Sequence, residues 1–138
     1  MERRVILVDS SVWISYLRDD GSPVVDVLGE LLSRGTEVSI TEPVAMELLA
    51  GAHRPQEAAR VEALVNGLPS TPIESATDFV NAARLYRAST ANGHPIRSMT
   101  DCLIAAVAIR RDVTLLHQDR DFAYLAAISP LRLHPVSD

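Results

Sequence analysis

The sequence of 138 residues contains no lysine, and all thirteen of its basic residues are arginines. This absence excludes P-loop nucleotide binding, protein-kinase chemistry and Schiff-base catalysis, each of which needs a lysine of the chain itself. The single cysteine, Cys102, leaves neither an internal disulfide nor a cysteine cluster for structural zinc. The apolar run at residues 5–8 is too short for a signal-peptide core or a membrane span. We therefore expect a cytoplasmic protein with no membrane association.

Positive charge is also in deficit. Eighteen acidic residues against thirteen arginines give the chain a net charge of −5. At first sight this argues against a nucleic-acid partner, because phosphate binding usually goes with net positive charge. The length fits one domain, which we place at residues 1–138.

Short apolar segments alternate with helical patterns along the whole chain. The pattern predicts five strands, at residues 5–8, 38–40, near 73, 113–116 and 131–133. Apolar residues at helical spacing fill the segments between them. This alternation predicts an α/β protein with a mainly parallel central sheet that helices cover on both faces.

Three local expectations concern the helices of the second half. The helix predicted at 76–90 would bury an apolar side made of Phe79, Val80, Ala83 and Tyr86. Ser98 and Asp101 have the spacing of a capping box that opens an apolar helix at 102–110. Arg110 and Arg111 then stand where basic side chains favour the C-terminal end of a helix.

Four acids lie beside apolar segments. Asp9 and Asp119 follow the first and fourth predicted strands, and active sites of open α/β sheets lie at the carboxyl ends of strands. Asp101 is in the first turn of the most apolar helix, and Glu47 is embedded in the apolar stretch VAMELLA. Each acid alone has an ordinary structural explanation, as a helix cap, a strand end or a half-exposed helix residue.

Taken together, the four acids favour a divalent cation. If they converge they repel one another, and buried unpaired charge is costly. Carboxylates with water form the shell that Mg²⁺ or Mn²⁺ prefers, and no lysine is present as a counter-charge. Such a site is suited to hydrolysis of a phosphodiester by a metal-bound water.

At this point the sequence resembles a known family. The segments VDSSVW at 8–13, EPVAMELLAG at 42–51, TDCLIAA at 100–106 and HQDRDF at 117–122 are similar to the signature blocks of PIN-domain ribonucleases, in particular the VapC toxins of toxin–antitoxin pairs. The resemblance implies a PIN-like three-layer sandwich around a five-stranded sheet. It also implies a Mg²⁺- or Mn²⁺-dependent endoribonuclease that cuts structured RNA such as tRNA, is inhibited by a VapB-type antitoxin and forms a homodimer.

The resemblance assigns roles to individual residues. The catalytic acids that it implies are Asp9, Glu47, Asp101 and Asp119. The metal ligands are assigned to Asp9, Asp101, Asp119 and the additional acid Asp121. Ser11 matches the hydroxyl residue that supports the first aspartate, and Thr100, next to Asp101 in its block, is assigned a supporting role as well.

Other polar residues have less specific signals. Arg97 and Arg120 are nearest the proposed site and could hold RNA phosphates, although they could equally neutralise the neighbouring acids. Glu42 precedes Glu47 by five positions, about 140° round a helix, so both cannot face one metal. His94 and His117 have no zinc-site spacing and are given ordinary polar roles.

Two alternatives remain open at this stage. One is phosphotransfer with Asp9 as nucleophile, although families of that kind use a lysine that this chain lacks. The other is a non-catalytic module whose acidic pocket binds a basic protein partner.

The net charge does not contradict a nuclease, because removing the five clustered acids leaves thirteen acids against thirteen arginines.

Overall fold

The computed structural model describes residues 4–136. Its three strands are β1 (Val5–Val8), β2 (Glu37–Ser39) and β3 (Thr114–Leu116). Its seven helices are α1 (Ser10–Arg18), α2 (Pro23–Ser33), α3 (Glu42–Gly51), α4 (Pro55–Gly67), α5 (Ser75–Ala91), α6 (Met99–Arg111) and α7 (Arg120–Ala127). Within this described part, none of the helices combines the length and the apolar character that crossing a bilayer requires.

The sheet is parallel, with the strand order β2-β1-β3. In the register, Ile6 of the central strand lies beside Val38 on one side and Thr114 on the other. The central residues Leu7 and Val8 are fully buried, as expected for a strand that helices cover on both faces. The predicted α/β class and the parallel sheet are therefore confirmed, and all three strands end at the same edge.

The prediction of five strands is wrong. Beyond β2 and β3, the described residues continue the sheet only by isolated bridges, Ile40 with Ser70 and Leu115 with Leu133. Ser70 lies between Pro69 and Pro72, and Leu133 lies between Pro130 and Pro135. Proline has no N–H to donate to a ladder, so neither outer segment extends into a strand, and the strand expected near residue 73 is absent.

The buried face of α5 also differs from the prediction. Its inward residues include Asp78, Ala82 and Ser89, whereas Phe79 is 55% exposed and Val80 is 50% exposed. Asp78 is buried because Arg110 reaches across from α6 and pairs with both of its oxygens, Nε at 2.8 Å and Nη2 at 3.0 Å. This long-range ion pair, rather than the spacing of apolar residues, therefore determines which face of α5 is buried.

Neither end of α6 is closed in the way that its sequence predicts, by a capping box at the start and by arginines at the end. The side chain of Ser98 makes no capping hydrogen bond, so the predicted capping box does not form. At the other end, Asp112 takes a left-handed conformation with φ of 54° and its N–H donates to the carbonyls of Ala108 and Ile109. Arg110 therefore belongs to the Asp78 pair, and the end of α6 is closed by backbone hydrogen bonds.

Candidate active site

Asp9 stands where β1 ends and α1 begins. Its N–H donates to the carbonyl of Leu116 at 2.9 Å, which joins the ends of β1 and β3. Its Oδ2 accepts from the N–H and the hydroxyl of Ser11, at 3.2 and 2.5 Å, and so caps α1. The side chain is 4% exposed, and burial raises its pKa while the Ser11 hydrogen bonds oppose that rise.

Glu47 reaches the same region from the middle of α3. The hydroxyl of Ser10 donates to its Oε1 at 3.0 Å. The pKa of this half-buried carboxyl is raised by burial and by the charge of Asp9, and lowered by the Ser10 hydrogen bond. The sequence interpretation selected Ser11 and missed Ser10, since nothing in the run of two serines shows that the first one faces α3.

Asp101 is the point at which the acids meet. Its pKa is raised to about 7, mainly by burial and then by the negative charges of Asp9, Asp119, Glu47 and Asp121, in that order. Four other carboxylates act on the charge of Asp101. The fold therefore brings together acids that are up to 112 positions apart in the sequence. Without a cation, the least costly response of this cluster is to keep a proton on Asp101.

Asp119 and Asp121 are positioned by the start of α7. Asp119 is its N-cap and accepts from the N–H of Asp121 at 2.9 Å. One oxygen each from Asp101, Asp119 and Asp121 lies within 4.8 Å of the other two. Among the residues described, Asp9 and Glu47 are not part of this group of three, although their charges act on Asp101. Three converging carboxylates form a donor set that fits Mg²⁺ or Mn²⁺.

Arg97 brings a positive charge into contact with Asp119 and Asp121. Its Nη2 is 3.6 Å from Oδ1 of Asp119, and its Nε is 3.4 Å from Oδ2 of Asp121. The backbone N–H of Arg97 also donates to Asp121, at 3.3 Å. The side chain remains 72% exposed, so it can turn towards a ligand in solvent. Arg120, between the two acids in sequence, is exposed as well.

Other residues of the sequence interpretation take different places. Thr100 is half-buried next to Asp101 in the first turn of α6. Glu42 is exposed, and its Oε1 accepts from the N–H of Ile73 at 2.9 Å, so it is held on the segment between α4 and α5. His117 approaches the carbonyl of Asp119 with Nδ1 at 2.9 Å, and burial lowers its pKa.

A further residue that the sequence interpretation missed is Gln118. Its amide nitrogen donates to the carbonyl of Ser11 at 3.0 Å and to the hydroxyl of Ser15 at 2.7 Å. These bonds join the loop that carries Asp119 to the helix that Asp9 caps. The position beside Asp119 was the only signal that could have indicated this role.

A cavity of about 240 Å³, which we call the α1–α3–α4 groove, adjoins the acids at Glu47. Ile14, Leu17 and Val61 contribute apolar walls, and Arg18 and Arg60 add positive charge. The groove therefore offers an apolar surface with charged borders beside the acidic cluster.

Comparison with known proteins gives a consistent result. The model of the PIN domain family matches residues 6–128. The curated protein "VapC ribonuclease Mb1587" of Mycobacterium bovis is 43% identical over 129 residues, which cover 93% of this chain and 96% of that protein. The VapBC2 structure from Rickettsia felis, bound to a promoter DNA fragment, has a TM-score of 0.74 at 19% identity and covers 94% of this chain and 97% of the matched one. VapBC-1 of nontypeable Haemophilus influenzae has a TM-score of 0.73, also at 19% identity, with coverage of 94% and 96%.

Proposed function

This chain belongs to the PIN domain family, and we propose that it is a VapC-type endoribonuclease toxin that hydrolyses RNA phosphodiester bonds with the help of a divalent metal. The observation that carries the proposal is the convergence of Asp101, Asp119 and Asp121 within 4.8 Å, with Asp9 close enough to raise the pKa of Asp101. The chain is also 43% identical to a curated protein named a ribonuclease, over nearly the whole of both chains, which supports the same activity.

Mg²⁺ is the proposed cofactor, with Mn²⁺ as a substitute. Asp101, Asp119 and Asp121 would hold it, and Asp9 is the fourth ligand that the sequence resemblance implies. When bound, the ion activates water and stabilises negative charge on the cut phosphate. A cation also offsets the repulsion that raises the pKa of Asp101, so it is the chemical group that this cluster needs.

The remaining residues orient the acids. Ser11 donates two hydrogen bonds to Oδ2 of Asp9, which fix the orientation of that carboxylate. Ser10 fixes Glu47 at the border of the site, where its carboxylate can accept a hydrogen bond from an attacking water. Thr100 is proposed to support Asp101 from the adjacent position. These contacts hold the carboxylates before substrate arrives.

RNA needs positive charge beside these acids, and Arg97 and Arg120 are the proposed contacts. A guanidinium matches two oxygens of a phosphate as well as it matches a carboxylate. Arg97 now pairs with Asp119 and Asp121. A cation on those acids would compete with this pairing and free the exposed side chain for an RNA phosphate. Structured RNA, and tRNA first, is the substrate class that we propose.

A VapB-type antitoxin is the proposed partner, and the α1–α3–α4 groove is its proposed docking surface. The groove meets the acidic cluster at Glu47, so a segment lying in it would also block the site. The part of the segment that reaches Glu47 would be basic, because the cluster is rich in acid, whereas the part that passes Arg18 and Arg60 would be apolar or acidic. Replacing Ile14, at the groove wall, with glutamate should weaken the complex with a co-expressed antitoxin. We also propose a homodimer, which light scattering of the purified chain can test.

The deciding experiment incubates the purified chain with labelled tRNA and, separately, with ribosomal RNA, in Mg²⁺, in Mn²⁺ and in EDTA. We expect site-specific cleavage that requires metal and is lost in Asp101→Asn. Glu62→Gln is a matched control, since Glu62 is an exposed acid on α4. Absence of cleavage in every metal, with tight binding of a basic antitoxin segment, would instead favour the non-catalytic binding module.

A further inference from the structure

His94 and Tyr124 form a stacked ring pair outside the acidic cluster. Their ring centroids are 4.2 Å apart and their planes differ by 11°. His94 is exposed in the loop between α5 and α6, and Tyr124 is half-buried on α7. A stacked pair with an exposed outer ring presents a flat surface on which a further planar ring can stack.

A cavity of about 290 Å³ lies against this pair. Its lining residues are Ser89, Asn92, His94, Tyr124, Ala127 and Ile128. None of these six residues is acidic, whereas the α1–α3–α4 groove includes Glu47 and Glu57. The cavity thus combines an aromatic surface with an apolar wall, and its lining lacks the negative charge that would repel RNA.

Two chain segments place the pair close to the acids. His94 precedes Arg97 by three positions, so their Cα atoms are at most about 11 Å apart. Tyr124 follows Asp121 by three positions in α7, about 4.5 Å along the helix axis and on the same side. The loop and the helix that position the acids therefore also form the cavity, within reach of a base near the cut phosphate.

We propose that the His94–Tyr124 pair and its cavity bind an unpaired nucleobase next to the cleavage point, and so contribute to the choice of that point. The inference rests on the proposed ribonuclease function. Proteins that read single-stranded RNA stack splayed bases on aromatic and histidine rings. Alanine substitution of such a contact typically weakens binding by about tenfold or more.

The test uses a short single-stranded RNA with one 2-aminopurine, whose fluorescence falls when the base stacks. It is titrated with the Asp101→Asn protein, which is expected to bind without cutting. We expect the Asp101→Asn protein to quench the fluorescence. Adding His94→Ala should abolish the quenching and weaken RNA binding about tenfold. Adding Tyr124→Phe instead should retain both the quenching and the affinity. Phe79→Ala is the matched control, since Phe79 is an aromatic residue exposed on the neighbouring helix.

The outcomes separate the two proposals. Equal quenching with and without His94→Ala, or an equal loss with Phe79→Ala, would overturn the base site while leaving RNA cleavage by the wild-type chain untouched. In cleavage assays, a supporting result is a changed pattern of cut positions in His94→Ala with an unchanged melting temperature. Absence of cleavage by the wild-type chain would refute the proposed function, and the quenching titration would still decide the base site.

Discussion

The hydroxyl of Ser10 donates to Oε1 of Glu47 at 3.0 Å, and this single bond joins the start of α1 to the middle of α3 at the candidate site. The next residue, Ser11, directs its hydroxyl to Asp9. Two adjacent serines therefore hold two acids that come from different elements. Each hydroxyl positions a carboxylate, and neither is itself among the proposed metal ligands.

Removing either hydroxyl should reduce activity through this positioning. We expect Ser10→Ala and Ser11→Ala each to lower kcat for RNA cleavage by about tenfold, because the carboxylates lose a fixed orientation. Single-turnover cleavage with labelled RNA measures the effect. Ser33→Ala is a suitable control, since that hydroxyl donates to the carbonyl of Glu30 on the exposed side of α2. Wild-type rates in both test variants would contradict the assigned roles.

The pKa of Asp101 gives the metal-free protein a pH-dependent stability. A folded-state pKa of about 7 lies above the unfolded value of 3.8, so the folded chain binds the proton more tightly. Stability in EDTA should therefore fall as pH rises from about 4 to 7, and the loss should be complete above pH 7. Asp101→Asn should flatten this dependence and raise the melting temperature at pH 8 by about 4 °C or more.

Asp101→Asn should change cleavage activity and metal-free stability together. Asp101→Asn should lose RNA cleavage by at least about a hundredfold while gaining metal-free stability, because the same crowded charge serves the cation and destabilises the empty cluster. Thermal unfolding at pH 5.5 and 8.0, in EDTA, provides the stability measurement. An unchanged pH dependence in Asp101→Asn, compared with Glu62→Gln, would show that Asp101 does not carry the shifted titration.

Metal binding should be detectable without RNA. We expect Mn²⁺ to raise the melting temperature at pH 8, since a ligand at a hundred times its Kd stabilises the folded state by about 2.7 kcal/mol. Asp119→Asn should weaken Mn²⁺ binding at least about tenfold in isothermal titration calorimetry, because it removes one of three converging ligands. Equal affinity in Asp119→Asn and Glu62→Gln would place the ion elsewhere.

The Asp78–Arg110 pair should matter for stability rather than for chemistry. Asp78 is 0% exposed, and Arg110 also donates to the carbonyl of Pro72 at 2.7 Å. Arg110→Met leaves a buried carboxylate without a cation, with the N–H of Glu74 still donating to it, and should cost about 3 kcal/mol in urea unfolding. The exposed pair of Arg132 with Asp112 is the control, and Arg132→Met should cost less than about 1 kcal/mol. Adding Asp78→Leu to Arg110→Met should recover part of the loss; no recovery would indicate that the ion pair does more than satisfy Asp78.

Local signals predicted those parts of the fold that depend on neighbours in sequence. The apolar run at 5–8 followed by Asp9 and two serines determines a strand, a cap and a helix within a few residues. Asp119 and Asp121 follow the same logic at the start of α7. The convergence of these acids followed from a rule of parallel sheets, since strands of one direction end at one edge.

The parts that sequence reasoning missed depend on distant partners. The face of α5 is set by Arg110, 32 positions after Asp78, so the spacing of Phe79 and Tyr86 was misleading. Ser10 finds Glu47 37 positions away, which no local pattern reveals. The two outer strands were predicted from the apolar content of short segments. Each of these segments lies between prolines and pairs with the sheet only through an isolated bridge, so neither forms a strand.

The acids of this site come from both ends of the chain, Asp9 at the start and Asp119 and Asp121 near the end. During translation the N-terminal part of a domain leaves the ribosome first, and a fragment that ends before Asp119 has neither of the last two carboxylates. A chain truncated before Asp119 therefore cannot assemble the group of three acids. Cleavage activity would therefore report that the chain has been made and folded at least as far as the start of α7.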